Sequence, residues 1–380
     1  MDIQSRLPDV GTTIFTVMSK LAHEHGAINL SQGFPDFPID PELIALVDKF
    51  MKTGHNQYAP MPGAPTLRQA ISKVIQRTYS VTVDPDSQVI VTAGATQAIF
   101  SAISAFVHPG DEVILFDPSY DSYAPGVRLS GGVPVHINLH LPDFRIPWDQ
   151  VNASITSKTR MIIVNTPHNP LGTILSHSDL KELEELALRH GLIVVSDEVY
   201  ERLIFDGNTH ESVLRFPALA AQSLACYSFG KTYHATGWKV GYIVGPSTLI
   251  AEVKKAHQFI VFSVNTPVQF ALAEYLKNPE HYEQLALFYQ AKRDFFLENL
   301  KGSSFMPLET KGSYFQLLSY SGMSDLPDHE MAIDMTKRFK VACIPVSVFY
   351  KDKTDAKLLR FCFAKREETL LQACEILRRL

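Results

Sequence analysis

Residues 176–200 read SHSDLKELEELALRHGLIVVSDEVY and pair a predicted helix with a predicted strand. Leucine and alanine recur at helical spacing over residues 178–190, and Ser176 precedes them as a plausible N-cap. Residues 192–197 then form an apolar run that lacks the alternation of a half-exposed strand. Because such runs suit strands covered on both faces, this stretch predicts one unit of a helix-covered, mainly parallel sheet.

The same pattern extends to either side of this unit. Further apolar runs, bounded by turn residues, occupy residues 88–92, 112–117, 133–139, 161–165, 224–228 and 240–245. Helical spacing indicates helices at 96–107 and 120–130 between them. The chain is therefore predicted to have an α/β fold, in which a large domain holds a seven-stranded, mainly parallel sheet covered by helices.

The pattern changes after Pro267, which indicates a second unit. The expected elements are a long helix at 281–300, strands near 314–318, 341–345 and 358–363, and a last helix at 367–380. We therefore expect a smaller α+β domain at 281–380 beside a large domain at 41–280. Residues 1–40, rich in proline and glycine towards their end, are predicted to form an arm that belongs partly to the small domain.

Composition narrows the possible partners of the chain. A net charge of −5 without a basic run argues against nucleic acid as a partner, because phosphate backbones require clustered lysine and arginine. No segment has the length of a membrane span, and the N-terminus lacks a secretion signal. The four cysteines are scattered, without metal-like spacing to histidine, which predicts buried thiols and no metal. We expect a cytoplasmic protein that acts on small molecules.

Residues that follow the strands are the first candidates for a binding site, since ligands of α/β sheets collect at the carboxyl ends of strands. Gly94, Ala95 and Thr96 open a helix whose N–H groups suit a phosphate, although a merely capped helix has the same pattern. Tyr120 either stacks on a planar ligand or belongs to the core. Asn169 lies in a proline-flanked turn, which either aims its amide or is only a turn.

Asp197 and Lys231 carry the strongest chemical signals. A carboxylate at the end of an apolar run is costly without a positive partner, such as a protonated ring nitrogen, unless Asp197 is a helix N-cap. Lys231 lies between Ser228 and Lys239 in the stretch SFGKTYHATGWKVG. A partly desolvated lysine beside other cations forms Schiff bases with carbonyls, and these two neighbours suit a phosphate. The alternative is a surface loop with two solvated lysines.

A nucleotide-binding alternative fails on spacing. Gly230, Lys231 and Thr232 match the tail of a phosphate-binding loop, but that loop requires a glycine five residues earlier, where this chain has Ala225. A GxGxxG fingerprint is also absent from the sequence. The lysine therefore belongs to a different kind of site.

Seven motifs in one order resemble a known family. They are NLSQGFPD at 29–36, NQY at 56–58, NPLG at 169–172, DEVY at 197–200, the Lys231 stretch, FSVNTP at 262–267 and RFCF at 360–363. From about Arg6 to the C-terminus the chain resembles class I, fold-type I aminotransferases, which use pyridoxal 5′-phosphate. It is most similar to the branch of methionine and kynurenine/glutamine aminotransferases.

The resemblance implies a role for each cofactor-site residue. Lys231 would form the internal aldimine, Asp197 would pair with the pyridine nitrogen, and Asn169 and Tyr200 would bond the ring hydroxyl. The remaining contacts would be stacking by Tyr120, phosphate binding by Gly94, Ala95, Thr96, Ser228 and Lys239, and Tyr58 reaching in from the second subunit of a homodimer. The family usually has an aromatic residue where this chain has Thr96, which puts one phosphate or ring contact in doubt.

The resemblance also implies how the substrate is held. Arg360, the Gly33 backbone and Asn169 would receive the α-carboxylate. The side-chain pocket would be formed by Phe15, Tyr58, Phe262 and Phe349, unless these phenylalanines are ordinary core residues. No spare arginine matches a position for a second carboxylate, so we expect an uncharged, long or aromatic donor. Methionine is the first candidate, because residues 262–267 resemble bacterial methionine aminotransferases.

The expected reaction is ping-pong transamination between such an L-amino acid and a 2-oxo acid, through Lys231. The first alternative is a C–S β-lyase acting on cysteine conjugates or cystathionine-type substrates, because the same fold and lysine serve both reactions. A ligand-binding regulator on an inactive fold would have lost the lysine, but Lys231 is present.

Overall fold

The structure is a computed structural model that describes residues 3–380, so the first two residues of the predicted arm lie outside the described residues. The strands are β1 Ile28–Asn29, β2 Val89–Thr92, β3 Glu112–Asp117, β4 Val133–Asn138, β5 Thr159–Asn165, β6 Ile193–Asp197, β7 Ser223–Ser228, β8 Gly241–Val244, β9 Met306–Pro307, β10 Phe315–Ser319, β11 Val341–Ala342, β12 Ile344–Pro345 and β13 Leu358–Cys362.

Helices alternate with these strands. They are α1 Ile14–His25, α2 Pro41–Lys52, α3 Pro65–Tyr79, α4 Ala95–Phe106, α5 Tyr123–Leu129, α6 Trp148–Ser154, α7 His177–His190, α8 Pro217–Ala220, α9 Phe229–Thr232, α10 Ser247–Ile260, α11 Thr266–Tyr275, α12 Glu280–Glu283, α13 Leu285–Leu300, α14 Asp328–Lys337 and α15 Glu367–Leu377. Short 3-10 helices occur at Val213–Arg215, Thr236–Trp238 and Val346–Phe349.

The large sheet has seven strands in the order β2-β8-β7-β6-β5-β3-β4 within the described part of the chain. Each of its strands coincides, to within two residues at either end, with an apolar run of the sequence. Neighbouring strands from β4 to β7 are parallel, whereas β8 runs antiparallel to both β2 and β7. The predicted α/β fold with a mainly parallel, seven-stranded sheet is confirmed.

Burial on both faces explains why the strands read as continuous apolar runs. Val89 and Val91 pack into the cluster on one face of the sheet, with residues of α3, α7 and α11. Ile90 points to the other face and packs with residues of α4 and α10. Since successive side chains of a strand point to opposite faces, both faces demand apolar residues.

Helix α7 shows how closely a local signal predicts an element. The Ser176 hydroxyl accepts a hydrogen bond from the Asp179 N–H at 3.2 Å, and the Asp179 carboxylate accepts one from the Ser176 N–H at 2.8 Å. This reciprocal capping box begins the helix where Ser176 predicted it. Gly191, with φ 64°, ends the helix in the left-handed conformation that glycine adopts without strain.

A smaller, four-stranded sheet, β12-β13-β10-β9, lies in the C-terminal part of the chain. Met18 and Leu30 share a core cluster with residues of α13, α14 and α15, and β1 pairs in parallel with β11. Residues of the predicted arm, including Met18, β1 and Leu30, therefore pack on the C-terminal unit. The domain boundaries after residues 40 and 280 stay a prediction.

Three predicted elements differ in detail from the structure. The helix expected at 281–300 is divided into α12 and α13, with Gln284 between them. The strand expected at 341–345 is divided as well, because β11 pairs with β1 while β12 pairs with β13. The helix expected from Tyr120 begins only at Tyr123, which leaves Tyr120 in the loop after β3.

Candidate active site

All seven strands of the large sheet have one end at the same edge. The carboxyl ends of β2, β3, β4, β5, β6 and β7 lie there, together with the amino end of β8, because β8 runs against its neighbours. Ser228 at the end of β7 is paired with Gly241 at the start of β8. This reversal brings Lys239, two residues before the strand, to the same edge as Ser228.

A cavity of about 310 Å³ opens at this edge. The predicted site residues that line it are Phe15, Gly33, Ala95, Thr96, Tyr120, Asn169, Asp197, Tyr200, Ser228, Lys231, Lys239 and Arg360. Its volume is at the lower end of the range of small-molecule sites. Residues from three regions of the sequence thus share one cavity, although their roles stay predictions.

Lys231 lies in α9, a single helical turn that follows β7. Its Nζ donates hydrogen bonds to Tyr314 Oη at 3.0 Å and to the Gly33 carbonyl at 3.3 Å. Burial, together with the positive charges of Lys239 and Arg360, lowers the pKa of this amine to about 8. A larger fraction of Lys231 is therefore uncharged at neutral pH than of an exposed lysine. The surface-loop alternative is wrong for this lysine.

Asp197 is a buried carboxylate at the end of β6. Its Oδ2 accepts a hydrogen bond from Tyr123 Oη at 2.6 Å, and its Oδ1 accepts one from the Val199 N–H at 3.3 Å. No helix begins directly after Asp197, since the next helical residue in the chain is Val213, so the N-cap alternative is wrong. Burial raises the pKa of Asp197 to about 6, because the ionised form is short of a cationic partner.

Several hydrogen-bond donors also line the cavity. The first turn of α4 opens towards it at Ala95 and Thr96, beside the Ser228 hydroxyl and the Lys239 ammonium. A Cβ added to Gly94 would lie 3.2 Å from Lys239 Nζ, so this glycine packs directly against the amine although it does not line the cavity. Helix N–H groups, a hydroxyl and an ammonium group suit a phosphate.

Arg360 is almost completely buried in β13, with 1% of its surface exposed. Its Nη1 donates to Asn169 Oδ1 at 2.6 Å, and its Nη2 donates to the Ser31 carbonyl at 3.0 Å. The guanidinium carbon lies 3.8 Å from the centre of the Phe315 ring. Burial lowers the pKa of Arg360 to about 10, which leaves it charged at neutral pH. Its Nε has no hydrogen-bond partner among residues 3–380, so the group has an unused donor.

Residues 25–377 match the model of the aminotransferase class I and II family. The chain belongs to this family. It is 50% identical to the methionine aminotransferase of Escherichia coli over 99% of this chain and 98% of that protein. It is 34% identical to the kynurenine–oxoglutarate transaminase of Dictyostelium discoideum over 97% of this chain and 94% of that protein.

Solved structures agree with this assignment. The crystal structure of YbdL from Escherichia coli, described as identifying a methionine aminotransferase function, superposes with a TM-score of 0.98 at 49% identity and full coverage of both chains. N-succinyldiaminopimelate aminotransferase from Mycobacterium tuberculosis superposes with a TM-score of 0.95 at 36% identity, again over both full chains. The chain is therefore a pyridoxal-phosphate-dependent aminotransferase, and the β-lyase alternative is not favoured.

The cavity of this aminotransferase fits the cofactor by its own chemistry. Donors of the kind that suit a phosphate line it, and so does Asp197, a carboxylate whose pKa burial raises to about 6. The lysine with the lowered pKa, Lys231, lines the same cavity. A phosphorylated, protonated pyridine aldehyde matches this set of groups.

Besides Gly94, three predicted site residues of the aminotransferase do not line the cavity. Phe349 is 5% exposed and packs beside Phe15, with 5.9 Å between ring centres. Tyr58 and Phe262 contact each other, with 5.3 Å between ring centres, but are 81% and 42% exposed. Within one chain the structure does not bring these two residues into the site.

Several residues of the site were not predicted from the sequence. The clearest are Gln32, Asn165 and Phe315, which line the cavity, and Tyr123 and Tyr314, which contact Asp197 and Lys231. Asn165 donates to the Asp197 carbonyl at 2.8 Å and accepts from the Asn169 N–H at 2.8 Å. Its position at the end of an apolar run was the available signal for Asn165. The tyrosines have no comparable local signal.

The structure also bears on membrane spans, metal sites and cysteines. None of the helices in residues 3–380 is long and apolar enough to cross a membrane. The same residues contain no group of three or more metal-ligating side chains. All four cysteines are buried and free.

Proposed function

We propose that this aminotransferase moves the amino group of methionine, or of a similar long uncharged L-amino acid, to a 2-oxo acid. The observation that carries the proposal is the cavity lining, in which Arg360 is the only arginine and Phe15 and Phe315 supply apolar walls. One guanidinium serves the α-carboxylate, and no second one serves a side-chain carboxylate. The 50% identity to a methionine aminotransferase supports the same choice.

The bound cofactor would be held along the length of the cavity. Ser228, Lys239 and the first turn of α4 would bind its phosphate, and Asp197 would pair with its ring nitrogen. Tyr120 would lie against the ring, while Asn169 and Tyr200 would donate to the ring hydroxyl. When bound, pyridoxal phosphate supplies a carbonyl for amines and an electron sink for the charge left at the substrate α-carbon.

Lys231 would then act as the proton carrier of the site. With a pKa of about 8, its amine is basic enough to accept the α-proton and acidic enough to return it near neutral pH. Tyr314 and the Gly33 carbonyl hold this amine through hydrogen bonds and restrict where it can move. Proton transfer would therefore take place at a fixed point beside the substrate.

Arg360 would fix the orientation of the substrate. Its hydrogen bonds to Asn169 and Ser31 and its stacking on Phe315 hold the guanidinium plane. A planar guanidinium binds a carboxylate through two parallel hydrogen bonds, so the α-carbon would be held in one orientation. The hydrogen to be removed is selected by that orientation.

The proposed active form is a cytoplasmic homodimer. Tyr58 and Phe262 are exposed next to each other, and Phe259, with 89% of its surface exposed, lies nearby in α10. An exposed aromatic cluster of this kind is typical of a protein interface. Tyr58 would reach the phosphate site of the partner, and Phe262 would close its substrate pocket.

A substrate panel tests the proposed function. The purified protein with pyridoxal phosphate is assayed with methionine, phenylalanine, kynurenine, glutamine, aspartate, a cysteine conjugate and several 2-oxo acids, with Lys231→Ala as control. Oxo-acid formation and the release of ammonia plus pyruvate are measured separately. We expect methionine to exceed aspartate in kcat/KM by about 100-fold or more, because the cavity has no second arginine. Ammonia and pyruvate released from a cysteine conjugate without amino transfer would overturn the proposal in favour of a lyase.

A further inference from the structure

Asp117, at the end of β3, is a completely buried carboxylate without a part in the proposed chemistry. Its Oδ1 accepts a hydrogen bond from the Ser119 hydroxyl at 2.8 Å. Its Oδ2 lies 2.9 Å from His136 Nδ1 and accepts a hydrogen bond from the Lys351 N–H at 2.8 Å. A buried carboxylate is costly, and this one is compensated by three donors from separate parts of the chain.

These donors join the large sheet to the C-terminal unit. Ser119 directly precedes Tyr120, the predicted stacking residue, whereas Lys351 lies two residues after Phe349, the predicted pocket residue. The Ser119 N–H also donates to the Phe349 carbonyl at 2.9 Å. Asp117 therefore holds both loops in a fixed relation.

The Phe349 ring does not line the cavity itself, but it packs against Phe15, which does, and it lies beside Arg360. Its centre lies 5.4 Å from the Arg360 guanidinium carbon and 5.9 Å from the Phe15 ring centre. A shift of residues 346–352 would move this ring relative to the group that binds the α-carboxylate. The space left for a substrate side chain depends on that distance.

We propose that Asp117 is a positioning residue for substrate selection, which fixes Phe349 relative to Tyr120 and Arg360 and thereby sets the length of the side chain that the site accepts. The proposal rests on the proposed function, since it assigns Phe349 to the side-chain pocket. Asp117 touches neither substrate nor cofactor. It acts through the backbone of Lys351 and the loop of Ser119.

Asp117→Asn keeps the shape of the side chain but removes its charge. The amide has one acceptor oxygen where the carboxylate has two, so at least one of the three hydrogen bonds must break or reverse its direction, and those that remain lose the charge of the acceptor. Long substrates would lose the wall that Phe349 supports through Phe15, whereas short ones would not reach that wall. We expect kcat/KM for methionine to fall about tenfold relative to the shortest uncharged amino acid that the unaltered enzyme accepts, mainly through KM.

The matched control is Asp111→Asn. Asp111 directly precedes β3, at the other end of the strand that ends at Asp117, and it accepts a hydrogen bond from the His108 N–H at 2.9 Å but bonds neither the loop of Tyr120 nor that of Phe349. The ratio between long and short donors should stay unchanged in this variant. Ser119→Ala, which removes one donor to Asp117, should shift the ratio in the same direction by a smaller factor.

Hydrogen exchange of the cofactor-free protein gives a readout independent of activity. Peptides that cover residues 346–352 should exchange faster in Asp117→Asn, while peptides of β5 and β6 keep their protection. Equal losses for long and short donors, with unchanged exchange at 346–352, would overturn the inference. If Asp117→Asn does not fold, Ser119→Ala decides by the same two measurements. If the unaltered enzyme does not transaminate methionine, the proposed function fails instead, and the two failures are distinct.

Discussion

Burial shifts the two central ionisable groups of the site towards their neutral forms. It lowers the pKa of Lys231 to about 8 and raises the pKa of Asp197 to about 6. Neither shift stabilises the cofactor-free protein, because each reflects a charged form that lacks compensation. Such shifts cluster at functional sites, where a bound ligand supplies the missing partner.

The stability of the cofactor-free protein should therefore increase when Lys231 is replaced by methionine. Between about pH 8 and pH 10.5 the unfolded chain holds the lysine proton and the native protein does not, so rising pH stabilises the native state in that window. Below pH 8 the full cost, roughly 3 kcal/mol for a pKa shift from 10.5 to about 8, remains. We expect Lys231→Met to raise the unfolding free energy by roughly 1 to 3 kcal/mol at pH 7, and by less near pH 10.

Urea unfolding at both pH values measures this effect. Lys255→Met is the matched control, because its ammonium group is exposed and pairs only with the exposed Glu252. If Lys231→Met is no more stable than the control at pH 7, burial of the charged Lys231 amine does not destabilise the native state.

Arg360→Lys should lower the activity strongly although it keeps the positive charge. Lysine cannot bind a carboxylate through two parallel hydrogen bonds, and it would lose the contacts of Arg360 with Asn169 and the Phe315 ring. We expect kcat/KM for the amino donor to fall about 100-fold or more, as measured by steady-state kinetics. Arg366→Lys, at an exposed position, is the control. Nearly unchanged kinetics would remove Arg360 from the role of carboxylate ligand.

At the scale of elements, the phosphate end of the site depends on where α4 begins and on the direction of β8. Gly94, with φ 78° and ψ 170°, turns the chain from β2 into α4. This backbone conformation is almost restricted to glycine. The antiparallel course of β8 places Lys239 against the same glycine. The start of α4 and the segment before β8 thus lie together at the proposed phosphate site.

Gly94→Ala should weaken cofactor binding. The added Cβ would lie 3.2 Å from Lys239 Nζ, and the backbone would be strained as well. We expect the Kd for pyridoxal phosphate to rise by about tenfold or more, measured by titration of the cofactor-free protein through its visible absorbance. Gly322→Ala, where a Cβ would meet nothing within 4 Å, is the control. Equal affinities of the two variants would contradict the proposed phosphate site.

At the scale of the whole molecule, one chain leaves part of the proposed site incomplete. Tyr58 and Phe262 form an exposed pair outside the cavity, although the resemblance assigns both to the site. A second copy that supplies these rings would bury the cluster and complete both cavities. Burial against a second copy would explain why Tyr58 and Phe262 are exposed in the single chain.

Mixed dimers test this arrangement. Tyr58→Ala and Lys231→Ala each impair both sites of their own homodimer, but a mixed dimer contains one site with neither substitution. We expect co-refolded mixtures to regain up to about a quarter of the unaltered activity, since half of the dimers are mixed and each has one intact site. The separate variants, assayed at the same concentration, are the controls. Absence of recovery, with mixed dimers verified by mass, would place Tyr58 in its own subunit's site or outside both.

Local patterns were sufficient for the elements of the large sheet. Continuous apolar runs predicted all of its strands, because a strand buried on both faces must be apolar at every position. Ser176 predicted the start of α7, because a helix leaves N–H groups that only nearby residues reach. The divided helix at 281–300 and the divided strand at 341–345 were predicted less well. In the latter case pairing with distant strands decides where each piece lies.

The sequence by itself determined the fold class, the aminotransferase family and the residues of the cavity that follow strands, such as Asn169, Asp197 and Lys231. These are encoded by local runs and short motifs. Only the tertiary structure decided which groups act on them: Tyr123 on Asp197, Tyr314 on Lys231 and Asp117 on the Phe349 segment. These contacts join residues 74, 83 and 234 positions apart, so no local pattern contains them. The pKa shifts belong to the same class, because they depend on burial that only the folded chain creates.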